Sequence, residues 1–165
     1  MMINNIMKSP YLNDDQRLAD VIAAIQVMGT YKFYKLDFKG WSKRITGTED
    51  DSEYWKNIFE QHPEFFRLNN DKQKASLAWR RSHQRTYHVD KDKVLTKEEC
   101  ESLSNEEKNN RLSRVPLSNS DTATLISTAI NLHTRAIESE KEKRWLFPAL
   151  VTILAVLLGA LLKGL

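Results

Sequence analysis

The sequence has few of the residues on which common catalytic and metal sites are built. It contains one cysteine, Cys100, and five glycines among 165 residues. A single cysteine excludes an internal disulfide and any zinc site made of several cysteines. The four histidines form no HExxH motif, and no glycine-rich phosphate loop is present. We therefore expect no cofactor, no metal and no enzymatic activity. A hydrolase site assembled from residues distant in sequence stays open, because such sites are defined by geometry.

An excess of charge of one sign is also missing. The chain has 25 basic and 22 acidic residues, a net charge of +3. This balance is too mild to require nucleic acid as a partner, so local clusters carry more information than the total. A lone cysteine suits a reducing compartment.

Long apolar runs are scarce until the C-terminus, where residues 145–162 read WLFPALVTILAVLLGALL without a charge. About 18 helical residues reach roughly 27 Å, close to the thickness of a bilayer core. We expect residues 145–163 to form one transmembrane anchor, with Trp145 at the interface and a kink near Pro148. Ala155 and Gly159 have the small-xxx-small spacing that allows close helix packing. A core helix is the alternative.

The basic residues that precede this run set the expected location. Lys141, Lys143 and Arg144 lie just before it, and by the positive-inside rule the N-terminal part should be cytoplasmic. Only three residues follow the apolar run at 145–162, so no second span is expected. The sequence thus predicts a single-pass, tail-anchored protein of the cell inner membrane.

Residues 13–88 show the periodicity of three helices, preceded by a flexible segment at 1–12. The first helix should start at the Asn13 cap and stop at Gly29 in a left-handed conformation. The second should run from an Asp37 cap to Gly47, and the third from a Ser52 cap to Pro63. Their apolar positions are Leu18, Val21, Ile22, Ile25, Met28, Phe38, Trp41, Ile45, Tyr54, Trp55, Ile58 and Phe59.

The period then becomes alternating, which predicts a β-hairpin. Phe66 and Leu68 share one face before a polar turn at 69–72, and Ala75, Leu77 and Trp79 share a face on the return. The stretch WKNIFEQHPEFFRLNNDKQKASLAWRR resembles a winged helix-turn-helix, loosely of the LOTUS type. The whole chain also resembles a family of small bacterial tail-anchored proteins. A helical bundle with a hairpin is the competing architecture.

The winged-helix resemblance implies that the third helix and the wing could contact nucleic acid. The candidate contacts are Lys56, Arg80, Arg81 and Arg85, which would also suit anionic lipid. The alternative is an ordinary solvated strand end, since no long basic run is present.

A charged helical connector is expected at 89–120, with capping boxes at Thr96/Glu99 and Ser104/Glu107. A long juxtamembrane helix should follow at 121–144. Its stripe Leu125, Ala129, Leu132 and Ala136 lies beside a seam at Ile126, Ile130, His133 and Ile137. The seam has coiled-coil spacing and predicts a homo-oligomer face. Packing of this helix against the N-terminal domain is the open alternative.

Together these patterns predict a mostly helical α+β protein: a winged-helix-like domain of three helices and a hairpin, a helical connector, a long helix and one C-terminal transmembrane helix. Binding is the expected function. The first hypothesis is a membrane-tethered cytoplasmic interaction module or effector, possible in defence, that binds a protein or ligand and couples this to oligomerisation. A membrane-anchored nucleic-acid-binding regulator is the alternative, with the unrecognised hydrolase third.

Overall fold

Three helices and a small sheet enclose the main core in this computed structural model. It describes residues 9–163, with the backbone alone for residues 143, 146, 147, 149, 150, 156–158 and 160–163. The α+β class, mostly helical, is confirmed. The elements of this part are α1 (Arg17–Thr30), β1 (Lys35–Asp37), α2 (Phe38–Ile45), α3 (Ser52–Gln61), β2 (Phe66–Leu68) and β3 (Lys74–Leu77).

The predicted hairpin is confirmed, and it gains a third strand. β2 and β3 pair antiparallel, with Phe66 opposite Leu77 and Leu68 opposite Ala75. β1 pairs antiparallel with the other edge of β3, so the strand order is β1-β3-β2. The strand ends before Trp79, which lies in a 3-10 helix at Trp79–Ser82 and is exposed, contrary to its predicted place on the strand face.

The start of α1 differs from the prediction. The helix begins at Arg17, because the Asp14 carboxylate accepts a hydrogen bond from the Gln16 amide at 2.9 Å in the preceding turn. A 3-10 helix at Pro10–Leu12 comes before it, with Tyr11 buried. Residues 10–12 of the segment that was predicted to be flexible thus have regular structure, whereas residues 1–8 lie outside the described residues.

The caps and ends of α2 and α3 follow local chemistry. Asp37 caps α2 as predicted, its carboxylate accepting from the Gly40 amide at 2.7 Å, and Gly47 has a φ of +85° just after the helix. Ser52 is the first residue of α3 and does not cap it; Asp51 stands at the cap without a side-chain bond. α3 ends at Gln61, since Pro63 disfavours helical geometry at His62.

Residues of the predicted connector form a second, smaller lobe with its own sheet. β4 (Tyr87–His88) lies between β5 (Lys93–Val94) and β6 (Leu112–Ser113), and the short helices α4 (Lys97–Ser102) and α5 (Asn105–Asn110) connect β5 to β6. Both predicted capping boxes are confirmed. The strands were missed because each pairs over two residues, too short for an alternating pattern.

The last element is one continuous helix, α6 (Asn119–Lys163), whose first half packs on α1. Leu125 and Ala129 are buried in the main core, and Leu132 and Ala136 pack against it. The alternative that the long helix packs on the N-terminal domain is thus confirmed for this stripe. Gly29 stays helical inside α1, so the predicted left-handed stop is wrong.

The structure corrects the prediction that the C-terminal segment is a membrane anchor. Among the residues that the structure describes, no helix is long and apolar enough to cross a membrane. The predictions of a C-terminal transmembrane helix at 145–163, of a single-pass tail-anchored protein and of an inner-membrane location are therefore wrong.

Candidate interaction surface and binding groove

The second half of α6 exposes large apolar side chains. Ile130, Trp145, Val151, Ile153 and Leu154 are between 44% and 72% exposed. Single exposed apolar residues are ordinary, but a series along one helix is typical of a surface that binds another molecule.

The structure divides the four residues of the predicted oligomer face. Ile126 packs at the edge of the main core, and the ring of His133 lies 6.0 Å from that of Tyr11. Ile130 is exposed, and Ile137 is partly buried. One side of this face therefore borders the domain while the other is open, and its role in self-association stays a prediction.

The continuity of α6 extends the face beyond the two heptads visible at first. The helix runs without interruption through Pro148. The kink that was predicted near this proline therefore does not end the helix. Val151 lies 14 residues after Ile137, and Leu154 lies 21 after His133. Whole heptads keep these positions on the same side of the helix, with Glu140 and Arg144 at two of the heptad positions between them.

The predicted anchor residues are exposed wherever the structure describes their side chains. Trp145 is exposed, as are Pro148 and Ala155. A side chain added at Gly159 would meet nothing within 4 Å, so the described chain places no second helix against it.

Three of the four predicted nucleic-acid contacts are engaged within the chain. Lys56 pairs with Glu53 at 3.2 Å. Arg85 donates to the main-chain carbonyls of Lys108, Asn109 and Leu112. Arg81 is exposed, whereas Arg80 is completely buried. The structure therefore does not present these four residues as one open basic surface.

Arg80 instead joins three parts of the fold. Its guanidinium donates to the carbonyl oxygens of Met28 in the last turn of α1, of Tyr31 and Lys32 just after that helix, and of Arg114 and Val115 before α6. Burial lowers the pKa of Arg80 to about 10, because the charged form loses water. The sequence showed a basic cluster at this position but could not show that five carbonyls surround one of its members.

A second polar cluster lies at the start of the described chain. Glu64 accepts from the Tyr11 hydroxyl at 3.2 Å and lies 2.9 Å from Nδ1 of the buried His62. Burial alone would raise the pKa of Glu64, but the bonds from His62 and Tyr11 outweigh it and hold that pKa below its usual value. Burial and the neighbouring Glu64 raise the pKa of Tyr11. A cavity of about 390 Å³ adjoins the cluster, between residue 9 and α6.

Sequence reasoning missed this cluster because its members are 53 residues apart. The closeness of His62 and Glu64 in the chain was the available signal. Ser9 also lines the cavity, but in the described chain its hydroxyl makes no hydrogen bond to His62 or Glu64, so the arrangement fits a structural tie better than a catalytic triad.

A larger groove, of about 590 Å³, lies in the second lobe. Leu95 and Leu112 provide its apolar lining, and Arg85, Lys97 and Lys108 provide positive charge. Cys100 also lines it. Its volume falls within the range of about 300–1,000 Å³ seen for small-molecule sites.

The comparisons with known proteins add no family. No family, curated protein or solved structure matches this chain. No match supports the resemblance to a winged helix, to its LOTUS branch or to tail-anchored proteins. The surface of α6 and the groove of the second lobe are the two features from which function can be argued.

Proposed function

We propose that this protein is an interaction module that self-assembles through α6, pairing it with α6 of a second copy. The exposed apolar series along the helix carries the proposal. Burying one Val, Leu or Ile side chain contributes about 1.5–3 kcal/mol, so pairing of several such residues offsets the cost of association.

The spacing of the series favours a second copy as the partner. Ile130, Ile137 and Val151 occupy one heptad position, which Arg144 interrupts, and His133 and Leu154 occupy the other, which Glu140 interrupts. An identical helix supplies the same spacing over the same length. The stripe at Leu125 and Ala129 is already covered by the domain, so assembly leaves the fold intact.

The domain and the second lobe would then be displayed in two copies. This keeps the predicted binding function and its coupling to oligomerisation, without a membrane tether. Nucleic acid is the weaker alternative, because Arg80 is buried and Arg85 and Lys56 have partners within the chain.

Sedimentation equilibrium of the full chain in a mild detergent tests the proposal. Val151→Asp places a charge on the seam and should weaken association at least tenfold, by the cost of an unpaired buried charge of several kcal/mol. Ile153→Asp is the matched control: Ile153 is similarly exposed but occupies neither heptad position of the seam, since it lies between Val151 and Leu154. It should associate like the wild type.

Circular dichroism of both variants should match the wild type, because neither residue belongs to the core. A wild-type chain that stays monomeric at all concentrations would overturn self-assembly. Equal weakening by both substitutions would show nonspecific apolar association and overturn the seam.

A further inference from the structure

The groove of the second lobe is independent of α6 and combines apolar and positive lining. Leu95 and Leu112 line it from opposite sides of the small sheet, after β5 and within β6. Leu95 is buried, so its side chain forms a fixed apolar wall. An apolar wall with a few polar groups is the usual composition of a small-molecule site.

The charge on the groove is positive. Arg85, Lys97 and Lys108 line it together with one carboxylate, that of Glu101. Lys97 lies 3.9 Å from that carboxylate, but both side chains are well exposed, at 84% and 69%, so water screens the pair. Lys108 donates to the main-chain oxygen of Glu101, which leaves its charge uncompensated by that bond.

Arg85 holds its charge in a defined place. Its Nε donates to Leu112 at 3.0 Å, and Nη2 donates to Lys108 and Asn109 at 2.7 and 3.0 Å. All three acceptors are neutral carbonyls, so these bonds orient the guanidinium without neutralising it.

A polar atom in the groove lining lacks a partner. Thr86 Oγ1 is buried, and the described chain gives it no hydrogen bond, although the Thr86 carbonyl accepts from the Leu95 amide at 2.8 Å. Buried hydroxyls are nearly always hydrogen-bonded in native proteins. The structure thus leaves this hydroxyl without a partner in a residue that lines the groove.

We propose that this groove binds a small organic anion with an apolar body. The negative group, a carboxylate or phosphate, lies between Lys97 and Lys108 near the Arg85 guanidinium. The apolar body rests on Leu95 and Leu112, and Thr86 donates to or accepts from a polar atom of the ligand.

The single cysteine makes the groove measurable in the full chain. Cys100 lines it, so thiol-disulfide exchange at this residue reports on the groove alone. The probe is 1-naphthoate, an aromatic carboxylate, and its neutral counterpart is 1-naphthalenemethanol. The reporter is the neutral disulfide 4,4′-dithiodipyridine, whose reaction rate with Cys100 is measured at increasing probe concentration.

We expect 1-naphthoate to slow the reaction at Cys100 saturably. The protection of Cys100 by 1-naphthalenemethanol should be weaker by a factor of about five or more. Lys97→Ala combined with Lys108→Ala should weaken protection by naphthoate and leave the effect of the alcohol unchanged. Lys43→Ala is the control, since Lys43 pairs with Glu49 far along the chain in the main domain. It should behave like the wild type.

Three outcomes would overturn the proposal. Protection that rises without saturation would show that no site exists. Equal protection by the acid and the alcohol would show an apolar groove without selectivity for anions. Unchanged protection in the double lysine variant, with its circular dichroism intact, would place the anion elsewhere.

Discussion

Arg80 stabilises the fold because its guanidinium donates hydrogen bonds to carbonyl groups of two chain segments. No shared helix or sheet holds these two segments together. The residues at the end of α1 and those before α6 turn their carbonyls toward the guanidinium. Each bond from a charged donor is stronger than one between neutral groups. The cost of burying the charge is visible in its lowered pKa of about 10, and the bonds offset that cost.

Replacing Arg80 with Met should destabilise the chain strongly. The buried carbonyls would lose their donors, and each unsatisfied group costs about 1–3 kcal/mol, so a loss of roughly 3 kcal/mol or more is expected in urea unfolding. Arg81→Met is the matched control, because the neighbouring Arg81 is exposed; it should change stability by less than about 0.5 kcal/mol. Similar small losses in both variants would contradict the role of Arg80.

Glu64 should make stability depend on acid pH. Its pKa is lowered in the folded chain, so its contribution is complete above the unfolded-state pKa of about 4.3 and is lost as pH falls through the folded value. Glu64→Gln should therefore lower Tm near neutral pH, and the difference from wild type should shrink below about pH 4. Thermal unfolding between pH 7 and 3 measures it.

The control for this titration is Glu60→Gln, which changes an exposed carboxylate on α3. Its Tm should follow that of the wild type across the range. A Tm difference for Glu64→Gln that does not vary with pH would show that the bond to His62 and Tyr11 has no ionic character.

At the level of elements, the contact between α1 and α6 depends on a small residue. A side chain at Gly29 would meet Leu117 Cδ1 at 3.4 Å and Thr122 Oγ1 at 3.5 Å, and the Leu117 amide donates to the Gly29 carbonyl at 2.9 Å. This glycine allows close approach of the two segments and is not needed for a left-handed turn.

Two substitutions at Gly29 separate helix propensity from packing. Gly29→Ala adds one methyl at ordinary contact distance and should leave stability unchanged or raise it by up to about 1 kcal/mol. Gly29→Leu overfills the contact and should cost about 1–3 kcal/mol. Urea unfolding of both variants measures the difference, and equal losses would show that the backbone conformation, not space, requires glycine.

At the scale of the whole molecule, the core uses only the first half of α6, whereas the proposed seam begins in that half and continues beyond residue 140. The main core takes side chains from Tyr11 to Ala129, with Leu132 and Ala136 at its edge, and none from the described residues beyond. The exposed apolar series lies mostly after residue 140. Stability should therefore be separable from self-association.

Removal of residues 141–165 should leave a folded monomer. The truncated chain keeps every buried core residue, so its Tm should lie within a few degrees of the full-length value at a concentration where the latter is dissociated. Sedimentation should show a single monomeric species. An unfolded fragment would place part of the core beyond residue 140, and a fragment that associates as tightly as the full chain would show that Val151 and Leu154 do not contribute to the seam.

Local chemistry in the sequence determined much of the secondary structure. The Asp37 cap, the two capping boxes and the hairpin at 66–77 depend on residues only a few positions apart, which form their contacts whatever the rest of the chain does. The apolar stripe at Leu125 and Ala129 was predictable for the same reason. The element against which it packs was not.

Tertiary structure alone decided the rest, because it depends on contacts between distant residues. The sequence predicts a surface cation at Arg80, whereas in the structure the carbonyl groups of residues 28–32 and 114–115 surround its guanidinium. The sequence likewise predicts a helix stop at Gly29, whereas in the structure Gly29 allows the close approach of α6. The small sheet of the second lobe, and with it the groove, exists only once β6 pairs with β4 over about twenty residues of intervening chain. The length of the apolar run at 145–162 predicted a membrane span. Which side chains of α6 remain exposed is instead determined by the fold.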